Sequence, residues 1–155
     1  MINIYDLRDM VVRPCLKRLR AWSHAAERLV IGTALAESVI YGETRLRQVR
    51  GPALGIYQME PETHFDIWQN YLDYRTELAR LVLNNRRSGR EEYLANDLDY
   101  ATALCRIHYL RVPEPLPDAD DIGGLAAYWK EHYNTHLGSG TIDGFCKKAE
   151  RVMEL

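Results

Sequence analysis

The sequence predicts an all-α, single-domain protein, and three observations carry that prediction. Apolar residues recur at three- and four-residue spacing along most of the chain, two-residue alternation is nearly absent, and 155 residues are enough for one hydrophobic core. A composition of 46% hydrophobic and 27% charged residues is that of a folded chain and excludes a disordered one. The formal charge of −2, from 20 basic and 22 acidic residues, provides no global field that would draw the protein to nucleic acid.

The elements follow in order. Met1 to Asp6 lack the basic region and apolar run of a signal peptide, and no apolar stretch is long enough to span a bilayer. Arg13, Lys17, Arg18 and Arg20 read as a solvated helix face, with a docking surface as the alternative. Ser23 is an N-cap for a helix reaching about Val39, whose apolar face is Ala26, Leu29, Val30, Thr33 and Ala34. Pro61 suits the first turn of a second helix with Phe65, Trp68, Tyr71 and Leu72 on its face. A third, from Thr76 to Asn84, offers Leu78, Leu81 and Val82. A fourth is expected from about Arg90 to Leu110, with Leu94, Leu98, Ala101, Cys105 and His108 at helical spacing.

The prolines of Val112-Pro-Glu-Pro-Leu-Pro117 then stop the helical pattern, because they remove donors and force extended backbone. Asp118 to Asp121 supply caps for a fifth helix through Ile122, Leu125, Ala126, Trp129 and Tyr133. His136 to Gly140 form a loop, and Thr141 caps a last helix with Ile142, Phe145, Cys146, Ala149 and Val152. The proline-rich link is too short to divide the chain, so residues 1–155 form one domain. Cys15, Cys105 and Cys146 contain no C-x-x-C pair, and the latter two sit in apolar helical patterns as small hydrophobes. His132 and His136 are four apart, but Asn134 and Thr135 end the helix between them, so no metal site and no cofactor are expected.

The chemistry concentrates between Gly32 and Pro61. Glu37 follows Val30 and Ala34 by seven and three residues, which puts a carboxylate on the apolar face near the helix C-terminus. Desolvation there raises its pKa and suits it to general-acid work, while a buried ion pair with a nearby arginine is the structural alternative. Fourteen residues later begins Gly51-Pro-Ala-Leu-Gly-Ile-Tyr-Gln-Met-Glu-Pro61, whose Gly55 stands eighteen residues after Glu37. In it Gly55 permits a tight bend or close approach, Gln58 carries a donor and an acceptor suited to amino-sugar groups, and Tyr57 offers a flat face with a polar tip.

Glu37-Ser38, then Ala53-Leu54-Gly55-Ile56-Tyr57-Gln58-Met59 with Pro61, and later Ala126-Ala127-Tyr128, together resemble the lytic transglycosylase and goose-type lysozyme superfamily. The core of the resemblance lies at about residues 23–135. It departs from the family pattern at Trp129, which replaces an asparagine and would remove a polar contact, and in the longer spacing from Glu37 to Gly55. The resemblance implies a lysozyme-like fold acting on peptidoglycan glycan strands at the β-1,4 link between N-acetylmuramic acid and N-acetylglucosamine. It implies Glu37 as the catalytic acid and then base, Ser38 orienting the substrate acetamido group, and Gly55, Tyr57 and Gln58 in the saccharide cleft. Tyr128 would sit beside Glu37 and help to hold it. One glutamate suffices if the substrate's own N-acetyl group stabilises the oxocarbenium-like centre and the C6-hydroxyl closes a 1,6-anhydro ring. Where water is used instead, Glu43 is the candidate second carboxylate, although a solvated loop role is its alternative.

The short chain without a leader or wall-binding repeat points to a phage origin, either a virion-associated lysin or an endolysin, acting in the host periplasm and cell wall. Phage tail or internal virion proteins are then the expected partners. The alternative is a structural virion protein that keeps the fold with little or no activity.

Overall fold

The computed structural model describes all 155 residues, Met1–Leu155, and they are mainly helical. The N-terminal arm is α1 (Ile4–Asp6), a π-helical stretch Leu7–Val12, and α2 (Arg13–Arg18). Its apolar residues Leu7, Val12, Cys15, Leu16 and Leu19 all lie in the core. The basic cluster is not one free face, as the sequence suggested. Arg13 grips the buried Glu27 through two 2.7 Å hydrogen bonds, and Arg18 pairs with Asp99 at 2.8 Å, so both guanidiniums are turned toward neighbouring elements.

The central helix α3 (His24–Ser38) starts where the Ser23 hydroxyl accepts the Ala26 N–H at 3.0 Å. Its expected face is the core face: Ala26, Leu29, Val30, Thr33 and Ala34 are all buried. After Ser38 the chain turns into β1 (Val39–Ile40), which pairs antiparallel with β2 (Glu43–Thr44). The connecting Tyr41 and Gly42 both have positive φ, 51° and 79°, as a two-residue hairpin turn with the right-handed twist of its strands demands. This hairpin is a feature the helical pattern did not reveal.

α4 (Pro61–Asn70) begins with proline in its first turn, where a missing N–H costs nothing. Its core residues are His64 and Ile67, whereas Phe65 is 63% exposed, so the expected face is rotated by about one position. α5 (Thr76–Leu83) ends at Asn84 in the left-handed conformation, φ 47°. The single helix expected from Arg90 to Leu110 is two: α6 (Tyr93–Asn96) and α7 (Leu98–Leu110). Asp97 is extended between them, and its carboxylate accepts the Tyr100 N–H at 3.1 Å, so a new helix is capped one turn into the apolar pattern.

α8 (Ile122–Trp129) is capped by Asp121 and continues as a π-helical turn, Lys130–Asn134. α9 (Ile142–Ala149) is capped by Thr141. α9 packs along α3, and Gly32 makes this possible: a Cβ there would lie 2.5 Å from the Phe145 ring. Two apolar clusters result. One joins α3, α8, α9 and the N-terminal arm, and the other joins α4, α5 and α7. No helix is long and apolar enough to cross a membrane.

Candidate active site

Glu37 occupies the last turn of α3, where unpaired carbonyls make the helix end electronegative and disfavour a second negative charge. Two donors from the far end of the chain meet it. The Trp129 indole N–H donates to Glu37 Oε1 at 2.9 Å, and the Asn134 amide N–H donates to the same oxygen at 3.2 Å. On an ordinary α-helix, residues five apart point about 140° away from each other. The π-helical turn after α8 removes that obstacle. Its i→i+5 bonding, with Thr135 N donating to Lys130 O at 2.8 Å, brings residues five apart nearly over one another.

Both donors are themselves fixed. Trp129 is 1% exposed, with its ring 5.2 Å from that of Phe145. Lys130 Nζ donates to Asn134 Oδ1 at 2.8 Å and to the Gly138 carbonyl at 3.0 Å, which leaves the Asn134 amide nitrogen to face Glu37. Lys148, whose ammonium donates to the Ala36 carbonyl at 3.0 Å, adds positive charge on the side of α9.

The carboxylate is thereby divided into two unlike oxygens. Oε1 accepts both hydrogen bonds. Oε2 accepts none and is not fully buried, so it keeps some contact with solvent. Burial raises the pKa of Glu37, against the opposing pull of Asn134, Trp129, Lys148 and Lys130. In the neutral acid the proton belongs on Oε2, because the accepting capacity of Oε1 is already used. A protonated carboxyl with its free oxygen outward is arranged to give a proton to an incoming group.

The other expected site residues lie differently. Ser38 is 1% exposed, and its hydroxyl donates back to the Ala34 carbonyl at 2.7 Å, so in this structure it is not presented to a ligand. Tyr57 is equally buried, its hydroxyl sharing a 2.8 Å hydrogen bond with Thr102, and offers no flat face to a sugar. Gly55 (φ +76°) forms the bend, but the backbone it approaches is the protein's own: a Cβ would fall 1.7 Å from the Leu94 carbonyl oxygen. Half-buried Gln58 (φ 46°) closes this turn, its side-chain amide donating to the Gly55 carbonyl at 2.8 Å.

Tyr128 does not hold Glu37. It is turned away, donating to the Glu114 carbonyl at 2.9 Å and packing on His132. Its neighbour Trp129 supplies the contact instead, so the residue that departs from the family pattern provides a polar contact to the glutamate. Glu43 is exposed in β2 and paired with Arg45 at 3.3 Å.

Glu37 and the Gly55–Gln58 turn are nevertheless linked. The Tyr133 hydroxyl donates to the Tyr57 carbonyl at 2.7 Å, and the next residue is Asn134. Asn134, Lys130, Tyr133 and Lys148 were not legible as site residues. The only sequence signal was five-residue spacing from Trp129 to Asn134, which has meaning only once the helix widens. No group of three or more His, Cys, Asp or Glu side chains gathers in metal-ligating geometry. Comparison with protein-family models, curated proteins and solved structures returns no match for this chain.

Proposed function

We propose that this chain cleaves peptidoglycan glycan strands, as a lytic transglycosylase or muramidase of lysozyme-like fold, with Glu37 as its single acid and base. The observation that carries the reading is the divided carboxylate of Glu37, with Oε1 fixed by Trp129 and Asn134 and Oε2 unpartnered and not fully buried. Glu37 passes its proton from Oε2 to the oxygen between N-acetylmuramic acid and N-acetylglucosamine, and the bond from that oxygen to the muramyl C1 breaks. The positive charge left at C1 is taken up by the substrate's own acetamido group. Glu37, now anionic, is stabilised by the same two donors and by the nearby Lys130 and Lys148 charges. It then removes the proton of the muramyl C6-hydroxyl as that oxygen bonds to C1, giving the 1,6-anhydro product and regenerating the acid. If water takes the place of the hydroxyl, the product is a reducing end.

The protein would act in the host cell wall as part of a phage particle or as an endolysin. Clearing of purified peptidoglycan by the wild type, lost in Glu37→Gln, is the expected result. No clearing by the wild type across pH 4–8 would refute the reading. Mass spectrometry of the products separates anhydromuropeptides from reducing ends.

A second reading, a structural virion protein that keeps the fold without activity, is favoured by one set of contacts. Ser38, Tyr57 and Gln58 spend their polar groups inside the protein. Stable assembly into particles by Glu37→Gln, together with an inactive wild type, would support it.

A further inference from the structure

A concavity of about 470 Å³ lies beside the hairpin and is lined by Thr44, Arg45, Leu46, Arg47, Leu54 and Ala95. Arg45 and Arg47 flank Leu46 just after β2, and both line this one cavity, with Arg47 bridging antiparallel to Leu54. No carboxylate lines the cavity. Glu43 touches Arg45 from outside at 3.3 Å, and Arg47 has no carboxylate partner. Two arginines lining one concavity with Leu46, Leu54 and Ala95 suit an anionic group carried on a short apolar stem.

Its position relates it to Glu37. The Arg45 N–H donates to the carbonyl of Ser38, the residue after Glu37, at 2.8 Å, and the Gly55 N–H donates to the Leu46 carbonyl at 2.8 Å. The cavity therefore begins where α3 ends and runs along the hairpin toward the Gly55 turn.

We propose that Arg45 and Arg47 form an anion subsite that binds the carboxylates of the peptide stem carried by the muramyl residue. This rests on the glycan-strand reading above. The stem hangs from the sugar next to the scissile bond and combines small apolar side chains with free carboxylates, which matches the lining of the cavity. The backbone hydrogen bond from Arg45 to Ser38 puts the cavity next to the end of the helix that carries Glu37.

The test is calorimetric titration of the full chain with two ligands: the N-acetylglucosamine–N-acetylmuramic acid disaccharide bearing a tetrapeptide, and the same disaccharide without it. The expected result is roughly tenfold tighter binding of the peptide-bearing ligand, from charge-assisted contacts that the bare sugar lacks. That difference should disappear in the Arg45→Gln/Arg47→Gln double variant and survive in Arg47→Lys at reduced size. Equal binding of the two ligands, or no binding of either, overturns the subsite. Binding of inorganic phosphate but not of the peptide-bearing ligand also overturns it and assigns the cavity to a phosphate-bearing polymer. Cleavage of peptidoglycan without any peptide preference removes the subsite and leaves the role of Glu37 intact. Peptide-dependent binding without cleavage does the reverse.

Discussion

Replacing Trp129 by Phe keeps an aromatic ring against Phe145 but removes the N–H that reaches Glu37 Oε1 at 2.9 Å. Two losses follow. One is packing, because the six-membered ring of Trp129 also fills the space over Gly140, where a Cβ would lie 2.5 Å from it. The other is a hydrogen bond to a carboxylate, worth about 1.5–3 kcal/mol when the acceptor is charged and about 0.5–1.5 kcal/mol when it is neutral. A double-mutant cycle with Glu37→Gln separates them. The packing loss is common to both backgrounds and cancels, leaving a coupling of about 1 kcal/mol from the charge-assisted part alone. The charge-assisted coupling exists only while Glu37 is ionised, so it should be present at pH 8 and fade as pH falls through the raised Glu37 pKa. Urea unfolding of the four proteins at pH 8 and pH 4 measures it. A coupling at pH 8 that does not exceed about 0.3 kcal/mol, the ordinary scatter of independent sites, would refute the claim that Trp129 stabilises the charged glutamate.

Other outcomes follow from the same geometry. Because burial raises the Glu37 pKa, the folded state binds more protons than the unfolded chain between the two values, and this group makes stability fall as pH rises through that window. Glu37→Gln removes the dependence, so thermal unfolding should show the variant gaining on the wild type from pH 4 to pH 8, and a constant difference would contradict the burial argument. Gly55→Ala must place a Cβ 1.7 Å from the Leu94 oxygen at a φ of +76°, and a loss of about 3 kcal/mol or more is expected, read as a lower urea midpoint. Tyr57→Phe leaves the buried Thr102 hydroxyl without its 2.8 Å partner and should cost about 1–2 kcal/mol of stability. The same variant should leave the KM for glycan strands unchanged, since Tyr57 does not reach solvent; a raised KM at unchanged stability would show that Tyr57 touches substrate.

Much of the architecture was legible because its signals are local. Ser23, Asp121 and Thr141 cap where a side-chain oxygen can reach an N–H two or three residues on, and each was readable from its neighbours. Within the N-terminal arm, the helix at Arg13–Arg18 was expected from its basic face, but the π-helical stretch from Leu7 to Val12 escaped because it breaks the 3.6-residue period. The division at Asp97 escaped because the apolar pattern runs through it, while the cap depends on one extended residue. The hairpin at Tyr41 and Gly42 escaped because two strands of two residues are too short to show alternation.

For the site, the sequence by itself determined that a lone acidic residue stands among apolar ones at the end of a capped helix, and periodicity is enough for that. It did not determine what surrounds the carboxylate, because those partners come from 92 and 97 residues away. Tertiary structure decided that Trp129 reaches Glu37 while Tyr128 turns to Glu114, a choice set by the direction in which α8 lies against α3 and α9. It also decided that Ser38, Tyr57 and Gln58 satisfy their polar groups internally. A buried hydroxyl or amide must find a partner wherever packing leaves one, and a single sequence carries no record of which partner packing brings near.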